Sequence, residues 1–184
     1  METGPNAGTR SGDDVLKNDC HIDIDRPITD VFILATDHVA AWSTIVVEDH
    51  PVQLAEDGGV GSTFRVVTED RGHRMEFDGE VTEYDPPNRS SIVMRGPVFD
   101  LHVTYALETL PTGLTRITQT SASNAKGIWK LFFLVMVPLM RKSVREATRK
   151  ELEQLRTYCE SGTPATPGGP SDSTTTPDGA SDSA

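Results

Sequence analysis

"GIWKLFFLVMVPLMRKSVREATRKELEQL", Gly127 to Leu155, is the densest apolar stretch in the chain, and it runs straight into its most basic one. How it is read decides the fold. A membrane span needs about 20 predominantly apolar residues. The apolar run here covers only Leu131 to Met140, with Lys130 ahead of it and Pro138 within it. Spanning is excluded, whereas an interfacial position stays open. Trp129, Phe132, Phe133, Met136, Val137, Met140, Val144, Ala147, Leu152 and Leu155 recur mostly in steps of three and four, so the spacing predicts one long helix over about 126–159. Its front half is apolar nearly all round. Its back half offers Lys142–Glu146, Glu146–Lys150 and Arg149–Glu153 as spaced ion pairs on a wet face.

Upstream the period changes to two. "CHIDIDRP" sets Ile22 and Ile24 against His21, Asp23 and Asp25, a strand with one wet face. Pro27 then opens a short helical stretch, "PITDVFILATD", and "HVAAW" adds a second turn. "STIVVEDHPVQLAE" reads as a strand with Pro51 at an edge or bulge, and "GSTFRVVTED" as the next. "RMEFDGEVTEY" alternates Met75, Phe77, Gly79 and Val81 with Glu76, Asp78, Glu80 and Thr82. "RSSIVMRG" follows the turn at Asp85–Asn88. "FDLHVTYAL" points Phe99, Leu101, Val103 and Tyr105 one way and Asp100, His102 and Thr104 the other; "LTRITQTSAS" closes the set. The order is a strand, two short helices, about six antiparallel strands and the long helix: an α+β protein with a sheet of about seven strands.

The 184 residues suit one domain. A net charge of -11 argues against nucleic acid as a partner, because phosphates would be repelled. The helix is the exception, with eight basic and four acidic residues between Lys126 and Glu160. Arg141, Lys142, Arg145 and Arg149 are accordingly its candidates for contact with anionic membrane or an acidic partner. Cys20 and Cys159 are the only cysteines and stand alone, so a reducing cytoplasm is the expected location. Residues 1–18 and the tail 161–184, "SGTPATPGGPSDSTTTPDGASDSA", carry too little apolar surface to order themselves and are expected to be disordered around a domain of residues 19–160.

The order and spacing of "IDIDRPITDVFILATD", Trp42, "GGVGSTF", "EVTEYDPPNR", "YALETLPTGLTRIT" and "KELEQLRTYCE" resemble the SRPBCC superfamily, the START-like or helix-grip fold. Within it the resemblance is to the polyketide cyclase/dehydrase and lipid-transport group. It implies a curved antiparallel sheet wrapped on the C-terminal helix, with a cavity between them. By resemblance, the stretch from Gly127 to Met140 forms the wall and gate of that cavity. Its lining would include Trp129, Phe132, Phe133, Met136 and Met140 from the helix and Phe64, Met75, Phe77, Met94, Leu101 and Val103 from the sheet, with Trp42 near the mouth. Aromatic and methionine side chains conform to varied apolar ligands.

Chemistry is sparse. The five histidines are scattered, with no ligand spacing, so no metal and no cofactor is expected. "GGVGST" lacks the lysine of a phosphate-binding loop, and there is no GxSxG elbow. The inward polar candidates are Tyr105, Gln119 and Ser121. Tyr105 is the one candidate for a catalytic group, with Arg65 or Arg95 available to stabilise an enolate if either faces in. Three functions follow: a carrier or sensor of a lipid, isoprenoid or aromatic polyketide-like molecule; a cyclase or dehydratase in the same cavity; or a peripheral module working through the basic helix.

Overall fold

The computed structural model describes residues 16–55, 59–70 and 72–163, without the side chains of 130–140. The two tails expected to be disordered, apart from the few residues at their inner ends, lie outside the described residues, as do the side chains of Phe132, Phe133, Met136 and Met140. The elements are β1 (Leu16–Ile24), α1 (Ile28–Asp37), α2 (Val39–Trp42), β2 (Val46–Gln53), β3 (Thr63–Asp70), β4 (His73–Asp85), β5 (Arg89–Arg95), β6 (Phe99–Thr109), β7 (Thr115–Ala125) and α3 (Trp129–Glu160). All seven strands form one antiparallel sheet in the order β1-β7-β6-β5-β4-β3-β2. This is the helix-grip arrangement that the sequence implies.

Two boundaries move. β1 begins at Leu16, inside the segment expected to be disordered, because Leu16 is buried and pairs with Ser123. Pro27 stands just ahead of α1 rather than in its first turn, with extended backbone. Pro51 lies in β2, an edge strand, where a missing N–H breaks no central ladder.

Among the described residues α3 runs along β1 and touches β7, α1 and α2, but makes no comparable contact with β3 to β6. This fixes its rotation. Leu152, Leu155 and Cys159 are fully buried, and Thr148 is buried where a stripe through Ala147 was expected; Ala147 itself is exposed. Thr148 Oγ1 accepts from Asn18 Nδ2 of β1 at 2.8 Å and donates to the Val144 carbonyl at 3.1 Å. The helix follows the strand it lies on, and Asn18 provides a polar partner at that position.

The packed core sits at one end. Val31, Phe32, Leu34 and Ala35 of α1 meet Ile24, Leu107 and Ile117 of the sheet, Trp42 of α2 and the back half of α3. Each such large side chain, fully buried, contributes ~1.5–3 kcal/mol. Phe32 and Tyr84 pack with tilted rings, centroids 5.5 Å apart. Glu151 of α3 ties the start of β2 to this end, accepting from Ser43 Oγ at 2.6 Å and Thr44 N at 2.9 Å.

Candidate functional site: the concave face of the sheet

The strand register sorts the face turned toward α3 into rows. Nearest the β3–β4 hairpin is Asp49–Val66–Phe77. Next comes Pro51–Phe64–Gly79–Met94–Leu101–Ser123–Leu16, then Val81–Ile92–Val103–Ser121–Asn18. The following row is Tyr84–Ser90–Tyr105–Gln119–Cys20, and beyond it Leu107–Ile117–Ile22 belongs to the packed core. Two apolar rows therefore end on a polar one, and the polar row borders the solid end of the molecule.

Most of the expected lining lies on this face. Phe64, Met75, Phe77, Met94, Leu101, Val103, Tyr105, Gln119 and Ser121 share it by register. Phe77 and Val103 are buried, but Phe64, Met75, Met94, Leu101, Gln119 and Ser121 keep accessible surface. In a solid core, mid-sheet residues such as Met94 and Leu101 would be sealed. Tyr105, in the next row but one, is likewise only partly covered.

Trp42 lies elsewhere. It is buried in the core cluster, and its indole N–H donates to the Leu34 carbonyl at 3.0 Å, so it anchors α2 rather than flanking a mouth. Trp129 stands at the start of α3, 42% exposed beside the more exposed Ile128. Arg65 and Arg95 face outward, paired with Asp78 at 3.1 Å and Glu80 at 2.9 Å, so neither is placed to stabilise an enolate on the inner face. His21 and His102 also face outward, as alternation predicts. Arg141, Lys142, Arg145 and Arg149 are all exposed, but Lys142 and Arg149 have Glu146 and Glu153 one turn on, at 3.9 and 3.1 Å.

Three groups escaped sequence reading. Tyr84 joins the inner face because a bulge between Val81 and Glu83 inverts the alternation. Ser90 reaches the same row through its pairing with Tyr105. Asp49 is opposite Val66 and turns inward; burial raises its carboxyl above the usual range, and it has no hydrogen-bond or ion-pair partner among the described residues.

Electrostatically, the polar row is a set of neutral groups. Burial, and secondarily the charge of Glu151, pushes the Tyr105 phenol well above its ordinary range, so it stays protonated and can donate. Gln119 Oε1, directly across the ladder, is buried with no hydrogen-bond partner among the described residues. No cluster of three metal-ligating side chains occurs among the described residues. None of their helices is long and apolar enough to cross a membrane. A hollow on the outside of the closed end, lined by Asp25, Arg26, Pro27, Ile28, Thr109 and Thr115, offers no comparable chemistry. Its Arg26 is already bound to Asp30 and the Cys159 carbonyl.

An open antiparallel sheet gripping a C-terminal helix, with an apolar concave face, defines a START-like protein of the SRPBCC superfamily. The chain belongs to the family described as polyketide cyclase/dehydrase and lipid transport, whose model matches residues 19–160. A START superfamily protein from Mycobacterium smegmatis has a TM-score of 0.67 at 13% identity, over 80% of this chain and 99% of that one. A protein from Thermus thermophilus has a TM-score of 0.66 at 19% identity, over 80% and 99%. The Zhui aromatase/cyclase from Streptomyces sp. R1128 has 0.62 at 12% identity, over 78% and 93%. At these identities the likeness is one of fold. A comparison with curated proteins gives no match.

Proposed function

We propose that this protein binds a hydrophobic small molecule, of lipid, isoprenoid or aromatic polyketide-like kind, between its sheet and α3, as a carrier or sensor. The observation that carries this reading is the incomplete burial of Phe64, Met94, Leu101 and Tyr105 in the middle of the concave face, with α3 set to the β1 side. Residues 19–160 form the proposed binding domain, extended at its start by Leu16–Asn18 of β1, and a reducing cytoplasm suits the unpaired Cys20 and Cys159. A second reading, a cyclase or dehydratase working in the same space, is favoured by the Tyr105–Gln119 pair, since such a reaction needs shape and one or two hydrogen-bonding groups. The pairing of Lys142 and Arg149 with glutamates on their own helix weighs against a peripheral module.

Native mass spectrometry of the purified protein, followed by organic extraction, tests the proposal. The expected result is a 1:1 adduct with an apolar compound, either co-purified or acquired from a lipid mixture, that is lost in Leu101→Trp, where the indole occupies the space. A protein that stays free of adducts after incubation with lipid, isoprenoid and polyketide mixtures contradicts it.

A further inference from the structure

The concave face is supplied with acceptors and, among the described residues, with no cation. Gln119 Oε1 is buried and has no hydrogen-bond partner among the described residues. The inward carboxyl of Asp49 lies on the same face by register, and the charge of Glu151 is felt at Tyr105. The sheet's arginines among the described residues are all committed to the outer face: Arg65 to Asp78, Arg74 to Glu48, Arg89 to Glu83, Arg95 to Glu80 and Arg116 to Asp23. Lys126 pairs with Asp100 at 2.7 Å, and the described basic side chains of α3 from Arg141 to Lys150 are exposed.

This pattern discriminates between ligand head groups. A fatty-acid carboxylate or a phosphate carried to the polar row would lose its water and, among the described residues, meet only neutral donors such as the Tyr105 phenol and no cation to balance its charge. A hydroxyl fits the row as it stands. Its hydrogen satisfies Gln119, and its oxygen accepts from the Tyr105 phenol across the same ladder. A site with a buried acceptor rejects ligands that leave it unpaired far more strongly than it distinguishes one methylene from the next.

We infer that the ligand is an uncharged hydrophobe with a hydroxyl at its leading end, an alcohol or phenol rather than a fatty acid or phospholipid, and that Gln119 accepts the hydrogen bond that selects it. The inference rests on the hydrophobic-ligand reading and gives that site its specificity.

The test is displacement of a neutral polarity-sensitive dye by a matched pair, 1-dodecanol and dodecanoate, at pH 8. Dodecanol is expected to bind at least ~10-fold more tightly, the scale of one well-made buried hydrogen bond. Gln119→Leu should erase that preference, read as the ratio of the two displacement constants against the same dye in the variant, with a thermal melt confirming the fold. Tyr105→Phe should lower the dodecanol-to-dodecanoate ratio, each constant being measured against the dye's own affinity in that variant. Dodecanoate binding as tightly as dodecanol, or a preference that survives Gln119→Leu, overturns the inference while dye binding leaves the hydrophobic site standing. If dye, alcohol and acid all fail to bind, the hydrophobic-ligand reading falls, and the inference with it.

Discussion

Gly79→Ala asks the structure whether its concave face is hollow. The Phe64 ring lies across Gly79, and a Cβ built there would meet ring atoms at 2.2, 2.3 and 2.7 Å, where ordinary contact is 3.4–4 Å. The ring must therefore retreat by about 1–2 Å. Phe64 is only half-buried, so a hollow face offers it somewhere to go. Rotamer strain of ~0.5–1.5 kcal/mol is then set against ~0.4–1 kcal/mol gained by stiffening the unfolded chain. The net loss should be under about 1 kcal/mol. Gly96→Ala is the control. There a Cβ would meet the Phe77 ring at 2.5 and 2.8 Å and the Phe99 carbonyl at 3.0 Å, and Phe77 is sealed at 3% exposure. Overpacking at that site should cost ~1–3 kcal/mol. Urea unfolding followed by tryptophan fluorescence measures both variants. The displaced ring should also reduce dye binding in Gly79→Ala. Equal destabilisation by the two substitutions, with dye binding unchanged, would mean that the concave face is packed rather than hollow.

Further outcomes follow from the surrounding structure. Trp42→Phe leaves the Leu34 carbonyl without its 3.0 Å indole donor and should lower stability by ~1–3 kcal/mol in urea unfolding while leaving ligand selectivity intact. Burial pushes the Cys159 thiol up to about 11, so it should resist alkylation in the folded protein at pH 8 and become accessible only on unfolding. Because its folded value is raised, its contribution to stability is full below the ordinary thiol value of 9.0 and is lost as pH rises toward 11, which urea titrations of Cys159→Ala against the parent would detect. The Arg116 guanidinium, at 2.7 and 2.9 Å, holds the Asp23 carboxyl below its usual value of 3.8. That contribution is present above the usual value and is lost as pH falls through the lower folded one, so Asp23→Asn should flatten the acid limb of the stability curve.

The inner face was legible where period two held. Alternation through β6 and β7 placed Leu101, Val103, Tyr105, Gln119 and Ser121 correctly, because neither strand is interrupted by a bulge and their register is continuous from Phe99 to Thr109. It failed where a residue was inserted. The bulge in β4 turned Tyr84 inward against simple counting. Bulges on both sides of the Glu48–Pro51 segment did the same for Asp49, which reads in sequence as one of three consecutive polar residues. The orientation of α3 was not legible at all, since an amphipathic helix fits any apolar surface. Only contact with β1 selected Thr148 over Ala147. Trp42 was misplaced for a related reason: its part in the core depends on α1 packing beneath it, which no local pattern encodes.

If Phe64, Met94, Leu101 and Tyr105 border an apolar space under α3, a crystal pressurised with xenon will reveal it, because xenon enters dry apolar cavities and not packed cores. Xenon density is expected against Met94 and Leu101, on the sheet side of α3. Density confined to surface hollows, with nothing between these side chains and the helix, would contradict it.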